Sequence, residues 1–132
     1  MRLLFDTNIV FDVIERRAPH YPASLQMLKL AQRGTVDAAL ASHTIANAFY
    51  KYHKTVIPDL KEHFLNDFEI VCGDANLVRV SLNLGFSDLE DALQVAAAMA
   101  WKSAFIITRN ERDFKFSPIP ALSPAHYLKR FH

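Results

Sequence analysis

Cysteine, glycine and net charge are all scarce in this 132-residue sequence, and each scarcity removes a class of explanation. The single cysteine, Cys72, cannot close an internal disulfide. It follows Phe68, Ile70 and Val71 and reads as a buried strand thiol, not a nucleophile. With 3 glycines there is no glycine-rich phosphate loop, and neither a Gly-x-Ser-x-Gly elbow nor a Cys/His pairing is present. A formal net charge of +1 is small for a protein that holds long nucleic acid through its phosphates, so such a substrate would be gripped locally. The basic runs at Arg16-Arg17 and Lys129-Arg130 read as solvated surface. The longest strongly apolar stretch, near Ala92 to Ala100, is interrupted by Gln94 and is too short to span a bilayer. Asp6 lies within the first apolar run, which leaves no signal-peptide layout and predicts a soluble cytoplasmic protein.

What is present is a hydrophobic content of 51% with 10 phenylalanines, enough for one ordinary domain over residues 1–132. The chain alternates. Leu3-Leu4-Phe5 is a short buried strand that stops at Asp6-Thr7-Asn8, after which Ile9, Val10, Val13 and Ile14 recur at helical spacing. Ala18 to Pro22 reads as a loop, and a helix runs from about Ser24 to a glycine stop at Gly34. Thr35 to Ala41 predicts a second strand that ends at Ser42-His43-Thr44. The following helix carries Ile45, Ala48 and Phe49, with Asn47 near its first turn. Pro58 opens another helix, Phe68 to Cys72 is a third strand, and Asp74 caps a helix that ends at Gly85. Such alternation predicts an α/β fold, a three-layer sandwich with a central, mainly parallel sheet of four to five strands.

The second informative block is Ser87-Asp88-Leu89-Glu90-Asp91-Ala92, opening an alanine-rich helix. Ser87 and Glu90 have capping-box spacing, and Asp88 and Asp91, three apart, project from one face of the first turn. Acids also favour a helix N-terminus through its dipole, and Asp6 could equally be a plain helix cap. A fourth strand, Ala104 to Ile107, runs into Thr108-Arg109-Asn110-Glu111-Arg112-Asp113-Phe114. Ser117 to Leu122 is a proline-bounded edge strand, and Ser123-Pro124 starts the last helix.

Three strand-to-helix junctions therefore end in acids or amides: Asp6 with Asn8, Asp88 with Asp91, and Asn110 with Asp113. In a parallel sheet these junctions share an edge, so the carboxylates converge. Each pair about 4 Å apart costs roughly 4 kcal/mol at an effective dielectric near 20, so the cluster must take up protons or a cation. Oxygen donors with no cysteine or paired histidine nearby point to Mg²⁺ or Mn²⁺. Such an ion, held by a few carboxylates, suits phosphodiester hydrolysis. A phospho-acceptor reading of Asp6 is weaker, because Asn8 stands where a second acid would be wanted.

Taken together, Phe5-Asp6-Thr7-Asn8, Asp88-Leu89-Glu90-Asp91-Ala92, Ile107 to Phe114 and Leu122-Ser123-Pro124 resemble a PIN domain of the VapC-like toxin type, in the right order along the whole chain. The resemblance implies a parallel α/β sheet between helices and a Mg²⁺- or Mn²⁺-dependent endoribonuclease. It also implies a cognate antitoxin as partner, with homodimers common among such toxins. Carried over by position, Asp6, Asp91 and Asp113 match the catalytic, metal-binding acids, with Asp88 and Asn110 as supporting ligands. Thr7, Asn8, Ser42 and Thr108 would orient the carboxylates. One position departs from the pattern: Asn47 stands where many members carry glutamate, so the site is one negative charge short. A PIN-like nucleic-acid-binding or regulatory module with weakened or absent catalysis is the alternative that this residue raises.

Overall fold

The first strand is central because its residues can be buried on both faces. In the computed structural model, which describes residues 1–52, 58 and 60–132, Leu3, Leu4 and Phe5 are wholly buried. They form β1 (Arg2–Phe5). Strand alternation sends Leu3 and Phe5 into one core cluster and Leu4 into the other. Each such side chain contributes about 1.5–3 kcal/mol by leaving water, so this strand is a major source of cohesion.

Around β1 stand β2 (Asp37–Ala41), β3 (Glu69–Val71), β4 (Phe105–Ile107) and β5 (Ala121–Leu122). The sheet has five strands in the order β3-β2-β1-β4-β5, and every pairing is parallel. On one face lie α1 (Thr7–Glu15), α2 (Tyr21–Gln32), α3 (Ser42–Tyr52) and the C-terminal helix, with Ile9, Val10, Met27, Ala48 and Tyr127 in the core. After α3 comes a π-helical turn, Leu60–Phe64, running into a short α4 (Leu65–Asp67). The helix expected to open at Pro58 lies partly outside the described residues.

The opposite face is covered by α5 (Ala75–Asn83) and α6 (Leu89–Ala100). Here Ala96, Ala97 and Ala98 are buried against Ala39, Ala41, Leu4 and Ile106. Small side chains on both partners let the helix lie close to the sheet. A 3₁₀ turn, Glu111–Phe114, and α7 (Pro124–Phe131) complete the chain.

Several boundaries differ from those read in the sequence. The second helix starts at Tyr21 with Pro22 in its first turn, where proline's missing N–H is harmless, so the loop is shorter than expected. Gly34 does take the left-handed conformation past that helix, with φ +73°. The Ser87 capping box is not formed; Asp88 is the cap, and its Oδ1 accepts from the Asp91 N–H at 3.1 Å. Cys72 lies beyond β3 and is exposed, because the strand stops at Val71 and the chain then turns toward Asp74.

The strand order fixes where ligands can sit. From β1 the chain moves outward to β2 and β3, then returns to place β4 on the other side of β1. The crevice at the carboxyl ends of β1 and β4 is the topological switch point, the usual ligand position in an open α/β sheet.

Candidate functional site

Asp6 occupies that crevice. Its backbone N–H reaches the Ile107 carbonyl at 2.8 Å, the last link between β1 and β4. It also caps α1, so the two readings of this residue coexist. The carboxylate is buried and accepts from four donors. Oδ1 takes the Thr7 N–H at 2.8 Å and Gln94 Nε2 at 3.2 Å. Oδ2 takes the Thr108 hydroxyl at 2.7 Å and Asn8 Nδ2 at 3.1 Å. These donors come from α1, β4 and α6, so the orientation of one carboxylate is set by three elements.

Further hydrogen bonds hold the donors in place. Asn8 Nδ2 also reaches the Thr108 hydroxyl at 3.4 Å, and its Oδ1 accepts from the Arg109 N–H at 3.3 Å. The Asn110 N–H donates to the Thr108 hydroxyl at 3.1 Å, which shapes the turn that presents Asp113. Thr7 and Thr44 share a hydroxyl hydrogen bond of 2.7 Å, and the fully buried Gln94 donates to both. Among the expected orienting residues, Thr7, Asn8 and Thr108 are in this network. Ser42 is not; Thr44, half a turn later on α3, faces inward instead.

Burial pushes the Asp6 carboxyl up to about 6, despite the hydrogen bonds from Thr108 and Thr7, and the charges of Glu90 and Asp113 push the same way. Asp91 is pushed up to about 7, by burial first and then by Asp88, Asp6, Asp113 and Glu90. Burial holds His43, at the start of α3, below its ordinary value, with Glu90 opposing. Acids from the ends of β1 and β4 and from the start of α6 therefore crowd one rim and repel one another. Asp88 spends one oxygen as a cap, whereas Asp113 and Asn110 are exposed.

Asn47 Nδ2 donates to Glu90 Oε1 at 3.2 Å. The carboxylate absent from α3 is thus matched by one reaching across from α6. Oxygen donors crowded in this way fit a hard divalent cation in their chemistry. As placed, no three His, Cys, Asp or Glu side chains among the described residues stand close enough together to enclose an ion.

Two residues escaped the sequence reading. Gln94 looked like an interruption of an apolar helix, yet a glutamine that remains fully buried must hydrogen-bond, and that alone could have marked it. Thr44 was visible only as part of a polar junction.

A protein-family model described as PIN domain matches residues 2–112. Three solved structures resemble the chain over nearly its whole length. FitAcB from Neisseria gonorrhoeae is 17% identical with a TM-score of 0.72, covering 94% of this chain and 99% of that one. VapBC2 from Rickettsia felis, bound to a DNA fragment from its promoter, is 21% identical with a TM-score of 0.69 and coverage of 93% and 98%. A toxin–antitoxin complex from Klebsiella pneumoniae is 25% identical with a TM-score of 0.69 and coverage of 92% and 97%. No curated protein matches the sequence. No helix among the described residues is long and apolar enough to cross a membrane.

Proposed function

Because the chain belongs to the PIN domain family, which is generally a family of nuclease hydrolases that use a divalent metal, we propose that it is a Mg²⁺- or Mn²⁺-dependent endoribonuclease. In this reading residues 1–132 work as one domain in the cytoplasm, as the toxin of a toxin–antitoxin pair. The observation that carries it is the Asp6 carboxylate, buried at the switch point, fixed by four donors and raised in pKa by that burial and by the Glu90 and Asp113 charges. The neighbouring toxin–antitoxin structures support an antitoxin partner.

Asp6, Asp91 and Asp113 would hold the ion, with Asp88 and Asn110 supporting. A bound divalent ion lowers the pKa of a water and stabilises the leaving oxygen of a phosphodiester. The protein's own part is positioning. Thr7, Asn8, Thr108 and Gln94 keep Asp6 in one orientation, so little reorganisation accompanies binding. Glu90 adds a negative charge where Asn47 supplies none.

Purified protein should cleave RNA with Mn²⁺ or Mg²⁺, and Asp6→Asn should abolish cleavage; equal rates in that variant would end the proposal. The second reading, a PIN-like regulatory or nucleic-acid-binding module without catalysis, is favoured by Asn47 and by the separation of the acids. Calorimetry separates the two. A folded protein that takes up no Mn²⁺ at millimolar concentration belongs to the second class.

A further inference from the structure

The turn that presents Asp113 carries more than that acid. Burial from Glu111 to Phe116 repeats every three residues: Glu111 is half-buried and Phe114 buried, whereas Arg112, Asp113, Lys115 and Phe116 are exposed. This is the spacing of a 3₁₀ turn, in which side chains at i and i+3 eclipse, and Lys115 continues the turn with helical backbone angles. Phe116 therefore shares a side with Asp113, and Lys115 shares the adjoining side with Arg112.

The ring of Phe116 is bare. It is 85% exposed, more than any other large hydrophobic side chain among the described residues. Single exposed apolar residues are ordinary, so what marks this one is the charge around it. Lys115 Nζ stands 5.2 Å from the ring centroid, which leaves the other face to solvent. Neither Lys115 nor Arg112 forms an ion pair among the described residues, and Glu111 is engaged elsewhere, by the Ser123 N–H at 2.6 Å and by His126. Tyr50, 83% exposed on α3, makes a contrast: its neighbour Lys51 is drawn to Glu15 and to the ring of Phe11.

The backbone under the ring is tied down. Phe114 anchors it in the core beside Phe86. The Ser117 N–H donates to the Phe114 carbonyl at 3.0 Å, and the Ser117 hydroxyl accepts the Ile119 N–H at 3.1 Å. A ring held ready in this way loses little freedom when a ligand arrives.

An open aromatic face beside unpaired cations is the combination that holds single-stranded nucleic acid, with a base on the ring and the backbone on the charges. A duplex keeps its bases stacked on one another and has none to offer. An acidic peptide would use the cations but has no need of the ring. We propose that Phe116, with Arg112 and Lys115, is a stacking platform for an unpaired base of the RNA next to the phosphate at the acidic cluster, so that the substrate is single-stranded there. The proposal rests on the nuclease reading for its ligand. It gives a chain of net charge +1 the local grip that it needs.

The test uses the full chain in EDTA, where metal-dependent cleavage is off. Anisotropy reads binding to a fluorescent oligoribonucleotide, single-stranded or annealed to its complement, over a series of KCl concentrations. Phe116→Ala should weaken single-strand binding about tenfold without changing the salt slope, Phe116→Trp should retain it, and neither should alter duplex binding. Arg112→Gln and Lys115→Gln should each lower the slope by about one phosphate contact. These side chains are exposed, so the variants should fold like wild type, which urea denaturation checks. Tyr50→Ala is the control and should bind like wild type. Absence of single-strand binding, an equal loss on the duplex, or an equal loss in Tyr50→Ala would overturn the proposal. So would binding that depends on Arg112 and Lys115 alone, the behaviour of a plain electrostatic surface such as an acidic peptide would use. The nuclease reading fails separately: RNA that is bound through Phe116 yet left uncut with Mn²⁺ ends that reading and leaves the platform standing.

Discussion

Raising the pH of the metal-free protein from 5 to 8 should cost it stability, and Asp6→Asn should remove most of that loss. The carboxyl of Asp6 rises from an ordinary 3.8 to about 6 in the folded chain. A raised value means that the folded state binds the proton more tightly than the unfolded chain does. Its stabilising effect is complete below about pH 3.8 and is lost as pH climbs through 6. The full span corresponds to about 3 kcal/mol, of which about 1.4 kcal/mol falls between pH 5 and 8. Asp91 acts in the same direction, with its value near 7. It is only half-buried, so solvent screening reduces its share to about 1 kcal/mol. Urea denaturation in EDTA at constant ionic strength measures this directly, provided that the m-value stays constant. Comparing the pH slopes of wild type and Asp6→Asn cancels Glu15 and Glu111, whose lowered values pull the opposite way in both proteins. Identical slopes in the two proteins would refute the reasoning. Adding Mn²⁺ at about 100 times its dissociation constant should return about 2.7 kcal/mol at pH 8, and less at pH 5, where protons compete.

Thr108→Val removes the 2.7 Å bond to Asp6 and an acceptor for Asn110, and should destabilise the protein by about 1.5–3 kcal/mol in urea. Asn47→Glu sets a carboxylate against Glu90; without metal it should lower the melting temperature at pH 8, and with it Mn²⁺ should bind more tightly by calorimetry. Asp74→Ala deletes the cap on the Leu77 N–H at 2.8 Å and should cost about 1 kcal/mol by thermal melting, without altering Mn²⁺ binding. Cys72 should react with a thiol reagent in the native protein at the rate of an exposed cysteine, since nothing covers it.

The parts of the fold that were legible in advance are those in which local pattern and burial agree. Leu3, Leu4 and Phe5 read as a buried strand, and the polar stops at Asp6 and Thr108 showed where the strands leave the core. Edges were less readable. Cys72 follows an apolar run, but the run ends on an edge strand of three residues, and the last strand shrank to Ala121–Leu122 because proline cannot donate to a ladder. Ser87 and Asp88 are both good caps, and sequence spacing alone could not choose between them. Within the site, the acids announced themselves through residue type. Gln94 and Thr44 did not, since their roles depend on α6 and α3 meeting above β1, which no local pattern encodes.

The seam between β1 and β4 also bears on how the protein is made. Asp6 waits for Ile107 and Thr108, about a hundred positions later, and every crossover must be in place before they meet. Contacts so distant along the chain form late and slowly. The pocket around Asp6 therefore assembles only after the chain has been made through Thr108, and a product truncated before that residue lacks it.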